Sequence, residues 1–453
     1  MKNGTILFLL VFISFSNFAK EVKLLKHIQK VEHGDLDRII KNRYLRILTT
    51  KNPFDYYIAN GEVRGMQYEM SKAFVENLNQ TYLKNKSPKI VFEMIPVDFD
   101  QLIPMLLNGK GDIIAVGMTK TKERKDQVRF TVSYQSVDDA IVTRKELENE
   151  SYKNKTFFVQ KDSSYFHELK KHDDLEVEEV NPNLNADNIM EMIAYKKFDY
   201  TLVNSFWAEN LSKRFSNLVV LKDRPFRKNV EISWAIRRGS PKLLKELNTF
   251  MPKMKKGSLF GNVLTQKYFS DLGRIQSAEF DLEKSKISQY DSAIKKYSKM
   301  YGFDWRLMSA VSLQESRFNQ DLINKWGAIG LFQIKQMTAE EPYINITPIH
   351  GKENFDKNIE AGIKYLAWIK KTYFNDSKVS QEDQFRFTLA AYNAGPKRVK
   401  DAIEKAKMMN LNPNIWFRNV ELAMLELGFN EPVIYVSEIN KHFVSYILLG
   451  IKD

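Results

Sequence analysis

The chain has 453 residues, 43% of them hydrophobic and 28% charged, with a net charge of +13 and no cysteine. That length exceeds what one core supports and implies two or three domains. The lack of cysteine excludes disulfides, thiol catalysis, Cys-ligated metals and a lipid-anchored N-terminal Cys. A basic excess suits an anionic partner. No basic helix or aromatic-interleaved Lys/Arg run is present, however, so nucleic acid is not an expected partner. Residues 291–453 hold 22 Lys/Arg against 19 Asp/Glu, so most of the excess lies upstream.

In chain order, Lys2 precedes an apolar run from Ile6 to Phe15, and Ser16-Asn17-Phe18-Ala19 offers a cleavage point. The run is short for a membrane span and reads as a secretory signal over residues 1–19, the alternative being an uncleaved anchor. The expected location is the periplasm, with peripheral attachment to the inner face of the outer membrane as a further expectation. Residues 20–43 are Lys-rich and read as a loose lead-in. Leu45–Thr50, Ile90–Ile95 and Asp112–Val116 have strand composition, and helices are expected after Gly65 and from Phe99 to Leu107. Strands alternating with helices predict an α/β domain over residues 44–270 with largely parallel strands. Ser240 is the expected N-cap of a helix with Pro241 at its first position, ending near Phe250 before Pro252.

Within this domain stand Gly65 to Glu69, Gly109-Lys110-Gly111-Asp112, Thr121-Lys122-Glu123-Arg124 and Phe130-Thr131-Val132-Ser133-Tyr134. Together they resemble the extracellular solute-binding family that carries amino acids. The resemblance implies a two-lobed periplasmic solute-binding fold in which Arg124 grips a ligand carboxylate, with help from Thr119. An Arg fork suits that task because it makes a bidentate, charge-assisted pair; the plainer reading is a structural salt bridge. The strand Phe198–Ser205 carries Asn204 where the family often has an Asp for the ligand ammonium. A free amino acid is thereby less favoured, and a wall-derived muropeptide or no ligand more so.

Residues 271–290 are charged and polar and read as a linker. A helical pattern follows in residues 291–453. Asp304 stands at an N-cap position, and Leu307, Ala310, Val311 and Gln314 recur at helical spacing, so an amphipathic helix is expected. It ends at Gln314-Glu315-Ser316-Arg317-Phe318. A carboxylate there is disfavoured by the helix dipole and by apolar surroundings. Its raised pKa would suit a general acid, although most Glu residues are merely solvated. Downstream come Gly327-Ala328-Ile329-Gly330-Leu331-Phe332-Gln333, Ala391-Tyr392-Asn393-Ala394-Gly395 and Glu431-Pro432-Val433-Ile434-Tyr435-Val436.

That ordered set resembles the soluble lytic transglycosylase family, with Phe332 in place of the usual Met, and Pro432 and Val433 in place of Thr and Arg. The resemblance implies a mainly α, goose-type-lysozyme-like domain acting on peptidoglycan glycan strands. Glu315 would be the catalytic acid, then base, cleaving the MurNAc–GlcNAc β-1,4 bond to form 1,6-anhydro-MurNAc. Ser316, Gln333, Tyr392, Asn393 and Tyr435 match positions that contact sugar or orient the Glu; their plainer reading is packing and turn formation. Glu340, Glu341 and Glu431 are the candidates for a second carboxylate, as an ordinary glycosidase would need. Gly327, Gly330 and Gly395 read as turn residues. The six His residues form no ligand cluster, so neither a metal nor a cofactor is expected. The rival readings are a plain peptidoglycan hydrolase and an inactive wall-fragment sensor.

Overall fold

The computed structural model describes residues 26–452 apart from 53, 161–162, 182–183, 185 and 270–285. The expected signal at 1–19 and most of the expected linker lie outside the described residues.

The front unit is built on one sheet with strand order Thr201–Asn204, Gln135–Arg144, Arg227–Ile236, Ile113–Thr119, Tyr44–Thr49, Val91–Pro96. Tyr44–Thr49 pairs in parallel with Val91–Pro96 and with Ile113–Thr119, as alternation with helices requires. The rest of this sheet is antiparallel, against the expectation of largely parallel strands. The cause is two ten-residue strands that cross between lobes. Arg227–Ile236 pairs Ile236 with Ile113 in the first lobe, and Arg227 with Asp139 toward the second. Gln135–Arg144 continues outward to pair with Thr201–Asn204 and Leu218–Val220. A chain that leaves one lobe and returns to it must run back antiparallel.

Several local expectations are corrected. Residues 26–43 are no loose lead-in: the helix Leu36–Asn42 buries Leu36 and Ile39 against the first lobe. Ser240 makes no side-chain cap. Asp35 caps that helix instead, accepting the backbone N–H groups of Lys242 and Leu243, each at 2.8 Å. Asp112, fully buried, is held by Arg38 at 2.6 Å, Arg237 at 3.0 Å and Arg46 at 3.3 Å. Burial alone would raise its pKa, but the guanidiniums of Arg46 and Arg38 hold the carboxyl below its usual range. This cluster ties the lead-in helix to the sheet.

The rear unit is helical. Its central helix, Trp305–Ser316, is capped by Asp304, which accepts from the Arg306 N–H at 2.9 Å. The helix is a core helix as expected, but it is buried all round from Trp305 to Leu313 with Gln314 exposed, so it lacks the amphipathic pattern expected of Leu307, Ala310, Val311 and Gln314. It is enclosed by Asp291–Tyr301, by the long C-terminal helix Asn430–Leu448 and by a short hairpin, Ala328–Ile329 with Ile334–Lys335. Among its buried polar residues, Ser312 donates to the Leu331 carbonyl at 3.2 Å, whereas the Ser309 hydroxyl has no partner among the described residues. Each buried Leu, Val or Met contributes roughly 1.5–3 kcal/mol.

The C-terminal helix also joins the two units. Val444 packs among Leu48, Ile95 and Ile114 of the front sheet. The Tyr446 hydroxyl donates to the Gly61 carbonyl at 2.7 Å, and the Lys51 ammonium donates to the Leu449 carbonyl at 2.5 Å.

Candidate active site

The central helix stops because Arg317 and Phe318 both take left-handed backbone, at φ 52° and 60°. Such conformations cost a non-glycine residue on the order of 1 kcal/mol or more, and two in succession turn the chain sharply. Glu315 is thereby left in the last turn, half-buried. Its Oε1 accepts from the Tyr435 hydroxyl at 2.5 Å. Burial raises the Glu315 carboxyl to about 7, while the hydrogen bond from Tyr435, which favours the charged form, pulls the other way. The Tyr435 hydroxyl is pushed well up by burial and by the nearby Glu315, so it remains a proton-bearing donor.

The hairpin turn Gly330-Leu331-Phe332-Gln333 is docked onto this helix end. Ser316 donates to the Leu331 carbonyl at 3.1 Å and to the Ser312 carbonyl at 3.2 Å. Tyr392 donates to the Phe332 carbonyl at 2.6 Å, and burial followed by the proximity of Glu315 raises its hydroxyl too. Gln333 donates to the carbonyls of Leu322 and Gly330 at 3.0 and 2.9 Å. The structure thus brings Glu315, Ser316, Tyr392 and Tyr435 together around one turn. The hydroxyls of Ser316 and Tyr392 and the amide of Gln333 are directed at backbone carbonyls that shape it. Asn393, half-buried beside Tyr392, has its amide uncommitted among the described residues. Glu340, Glu341 and Glu431 are exposed, and none of them perturbs Glu315.

Two residues that sequence reasoning missed hold the turn in place. Asn358, fully buried, accepts from the Phe332 N–H at 3.0 Å and donates to the carbonyls of Ile329 and Ile349. Gln320 accepts from the Leu331 N–H at 3.3 Å and donates to the carbonyls of Ile349 and Gly351. Gly330 lies at φ +72°, and a Cβ there would come within 2.5 Å of the Asn358 amide. A Cβ on Gly362 would meet Phe332 at 2.3 Å, so that glycine admits the turn against the helix Phe355–Tyr373. The available signal was an amide in an otherwise apolar helical stripe of Ile359, Gly362, Ile363 and Leu366. A buried amide is costly unless its hydrogen bonds are made.

The front unit has its own cleft between the lobes, with a cavity of about 170 Å³. Arg124 is buried and lines it; its Nη1 donates to the Thr119 carbonyl at 3.2 Å, and its guanidinium lies 5.2 Å from the Phe99 ring centre. The Thr119 hydroxyl accepts from Ser164 of the second lobe at 3.3 Å. Asn204 lines the same cleft, and its Oδ1 accepts from the Trp207 N–H at 3.3 Å at the start of the helix Ser205–Ser212. Phe54 and Trp207 also line the cleft, with ring centroids 4.2 Å apart. Arg124, Thr119 and Asn204 therefore share one cavity.

Comparison with known proteins matches residues 45–271, half of the chain, to the bacterial extracellular solute-binding proteins, family 3. The chain belongs to this family. Behind its family 3 unit, residues 292–414 match the transglycosylase SLT domain. Curated relatives extend over both units. One is the membrane-bound lytic murein transglycosylase F of Desulfosudis oleivorans, 28% identical over 82% of this chain and 80% of that protein. The protein of the same name from Pseudomonas fluorescens is 28% identical over 90% and 85%. Among solved structures, a mutant ArgBP from T. maritima is 26% identical over 52% of this chain and 99% of that one, with a TM-score of 0.44. Among the described residues, no helix of this family 3 protein is long and apolar enough to cross a membrane.

Proposed function

We propose that the protein is a peptidoglycan lytic transglycosylase in which Glu315 acts first as acid and then as base. The observation that carries this reading is the half-buried Glu315 carboxyl, held near pKa 7 with Tyr435 as its hydrogen-bond partner. A carboxyl in that range is populated in both protonation states at neutral pH, as a residue that must first give and then take a proton requires. Protonated Glu315 would donate to the glycosidic oxygen between MurNAc and GlcNAc, and that C–O bond would break. The substrate's N-acetyl group would stabilise the cation formed. Carboxylate Glu315 would then accept the proton of the MurNAc C6 hydroxyl as its oxygen closes the 1,6-anhydro ring, so no water is consumed. The exposed positions of Glu340, Glu341 and Glu431 favour a single acid–base residue over a two-carboxylate hydrolase.

Digestion of purified sacculi, with product masses recorded, tests this. Anhydro products, lighter than hydrolytic ones by one water, are expected from the wild type. Glu315→Gln should lose about 10²–10⁴-fold in rate or more, since one residue performs both transfers. A variant that releases anhydro product near the wild-type rate would remove Glu315 from the mechanism.

For the family 3 unit, the favoured ligand is a small carboxylate bound at Arg124. Asn204 in place of an acid, with its oxygen turned to Trp207, favours a wall-derived peptide over a free amino acid. Calorimetry with muropeptides and amino acids should lose its binding signal in Arg124→Ala. Equal binding by both proteins would take Arg124 out of the site.

A further inference from the structure

A run of aromatic side chains leads away from Tyr392 across the outside of the SLT unit. The Tyr365 ring, on the helix Phe355–Tyr373, lies 5.5 Å from that of Tyr392. Trp368, one turn further on, is 5.9 Å from Tyr365 with ring planes 15° apart. Tyr343 stacks on Trp368 at 4.1 Å and 13°, and Tyr373 meets Trp368 edge-on at 5.5 Å. These rings are not core. Tyr343 is 37% exposed, and Tyr365, Trp368 and Tyr373 are half-buried, whereas Phe332 and Phe387 nearby are fully enclosed. Among the described residues, the hydroxyls of Tyr343, Tyr365 and Tyr373 make no hydrogen bond.

Tyr343 and Trp368 cover one face of each other, so the stack offers a ligand its half-exposed outer side, apolar ring surface beside uncommitted hydroxyls, which suits a pyranose: a ring with apolar C–H faces and a polar rim. Continuity with Tyr392 selects the occupant, because a polymer threaded past Glu315 must leave the catalytic turn along some surface. We propose that the outer side of the Tyr365, Trp368 and Tyr343 stack is a track that contacts sugar rings of the glycan strand beyond those at the scissile bond. The track gives the enzyme a preference for long strands. The inference rests on the glycan reading of the Glu315 site.

The test is calorimetry on the full chain carrying Glu315→Gln, which blocks turnover, with β-1,4-linked N-acetylglucosamine hexamer and dimer as probes. Adding Trp368→Ala or Tyr343→Ala should weaken hexamer binding about two- to tenfold, the scale of one aromatic contact. Dimer binding should change less, and Trp368→Phe should retain most of the hexamer affinity. Tyr343 is the more exposed of the pair, so its variant keeps the test open if Trp368→Ala melts early. Equal changes for hexamer and dimer, no change for either, or no hexamer binding by the Glu315→Gln parent would overturn the track. Hexamer binding that depends on Tyr343, alongside wild-type digests lacking anhydro ends, would support the track while refuting the proposed reaction.

Discussion

Glu315 carries a cost that the fold sustains for the sake of chemistry. Its carboxyl titrates near 4.5 in an unfolded chain and near 7 in the native one. Below about pH 4 it is protonated in both states and has no effect on stability. Between the two values the native state holds a proton that the unfolded state has lost, so stability falls as pH rises, by roughly 3 kcal/mol in all. Glu315→Gln removes that loss. Its melting temperature is expected to exceed the wild type's at pH 8 and to match it at pH 4; equal melts at both would contradict a desolvated carboxyl. The sequence placed this Glu at a helix end, where the dipole disfavours charge. The resemblance placed Tyr435 among five residues that contact sugar or orient the Glu, but local pattern did not single it out as the hydrogen-bond partner, because 120 residues separate the two.

At the scale of elements, the hairpin turn and the helix Phe355–Tyr373 act as one piece. Asn358 makes three hydrogen bonds to backbone groups of the segment around the turn. Asn358→Ala would leave the Phe332 N–H without this buried acceptor and the Ile329 carbonyl without this donor, each costing about 1–3 kcal/mol, while the Ile349 carbonyl keeps Gln320. Denaturant unfolding should record a loss of about 3 kcal/mol or more, with activity falling because the Leu331 and Phe332 carbonyls no longer orient Ser316 and Tyr392. A loss under about 1 kcal/mol would mean that water replaces the amide. Four strands and three helices of the front unit were legible from local composition; the two ten-residue strands that cross between the lobes, Gln135–Arg144 and Arg227–Ile236, were not. Capping was less legible. Asp304 caps the helix that follows it, whereas the cap expected of Ser240 comes from Asp35, since a distant side chain can meet the same orphan N–H groups as an adjacent one.

The whole molecule is two units sharing apolar packing through one helix. Asn430–Leu448 presents Tyr435 to Glu315 and, further along, Val444 and Tyr446 to the family 3 unit. Tyr446→Phe leaves the Gly61 carbonyl without this buried donor and should cost about 1–3 kcal/mol. Calorimetry is expected to record one transition moved to lower temperature; two separate transitions with only one of them moved would show that the junction does not couple the units. By itself, the sequence determined several strands and helices, which depend on residue type and short spacing that local physics reads directly. The order of the units and the motif residues that gather around Glu315 were read from the resemblance of short motifs to known families. Only the tertiary structure decided the antiparallel crossing of the lobes, the all-round burial of the catalytic helix, the Asn358 and Gln320 supports and the aromatic track beside Tyr392. Each of these depends on contacts between segments far apart in the chain, and a periodic pattern carries no record of which distant surface will cover it.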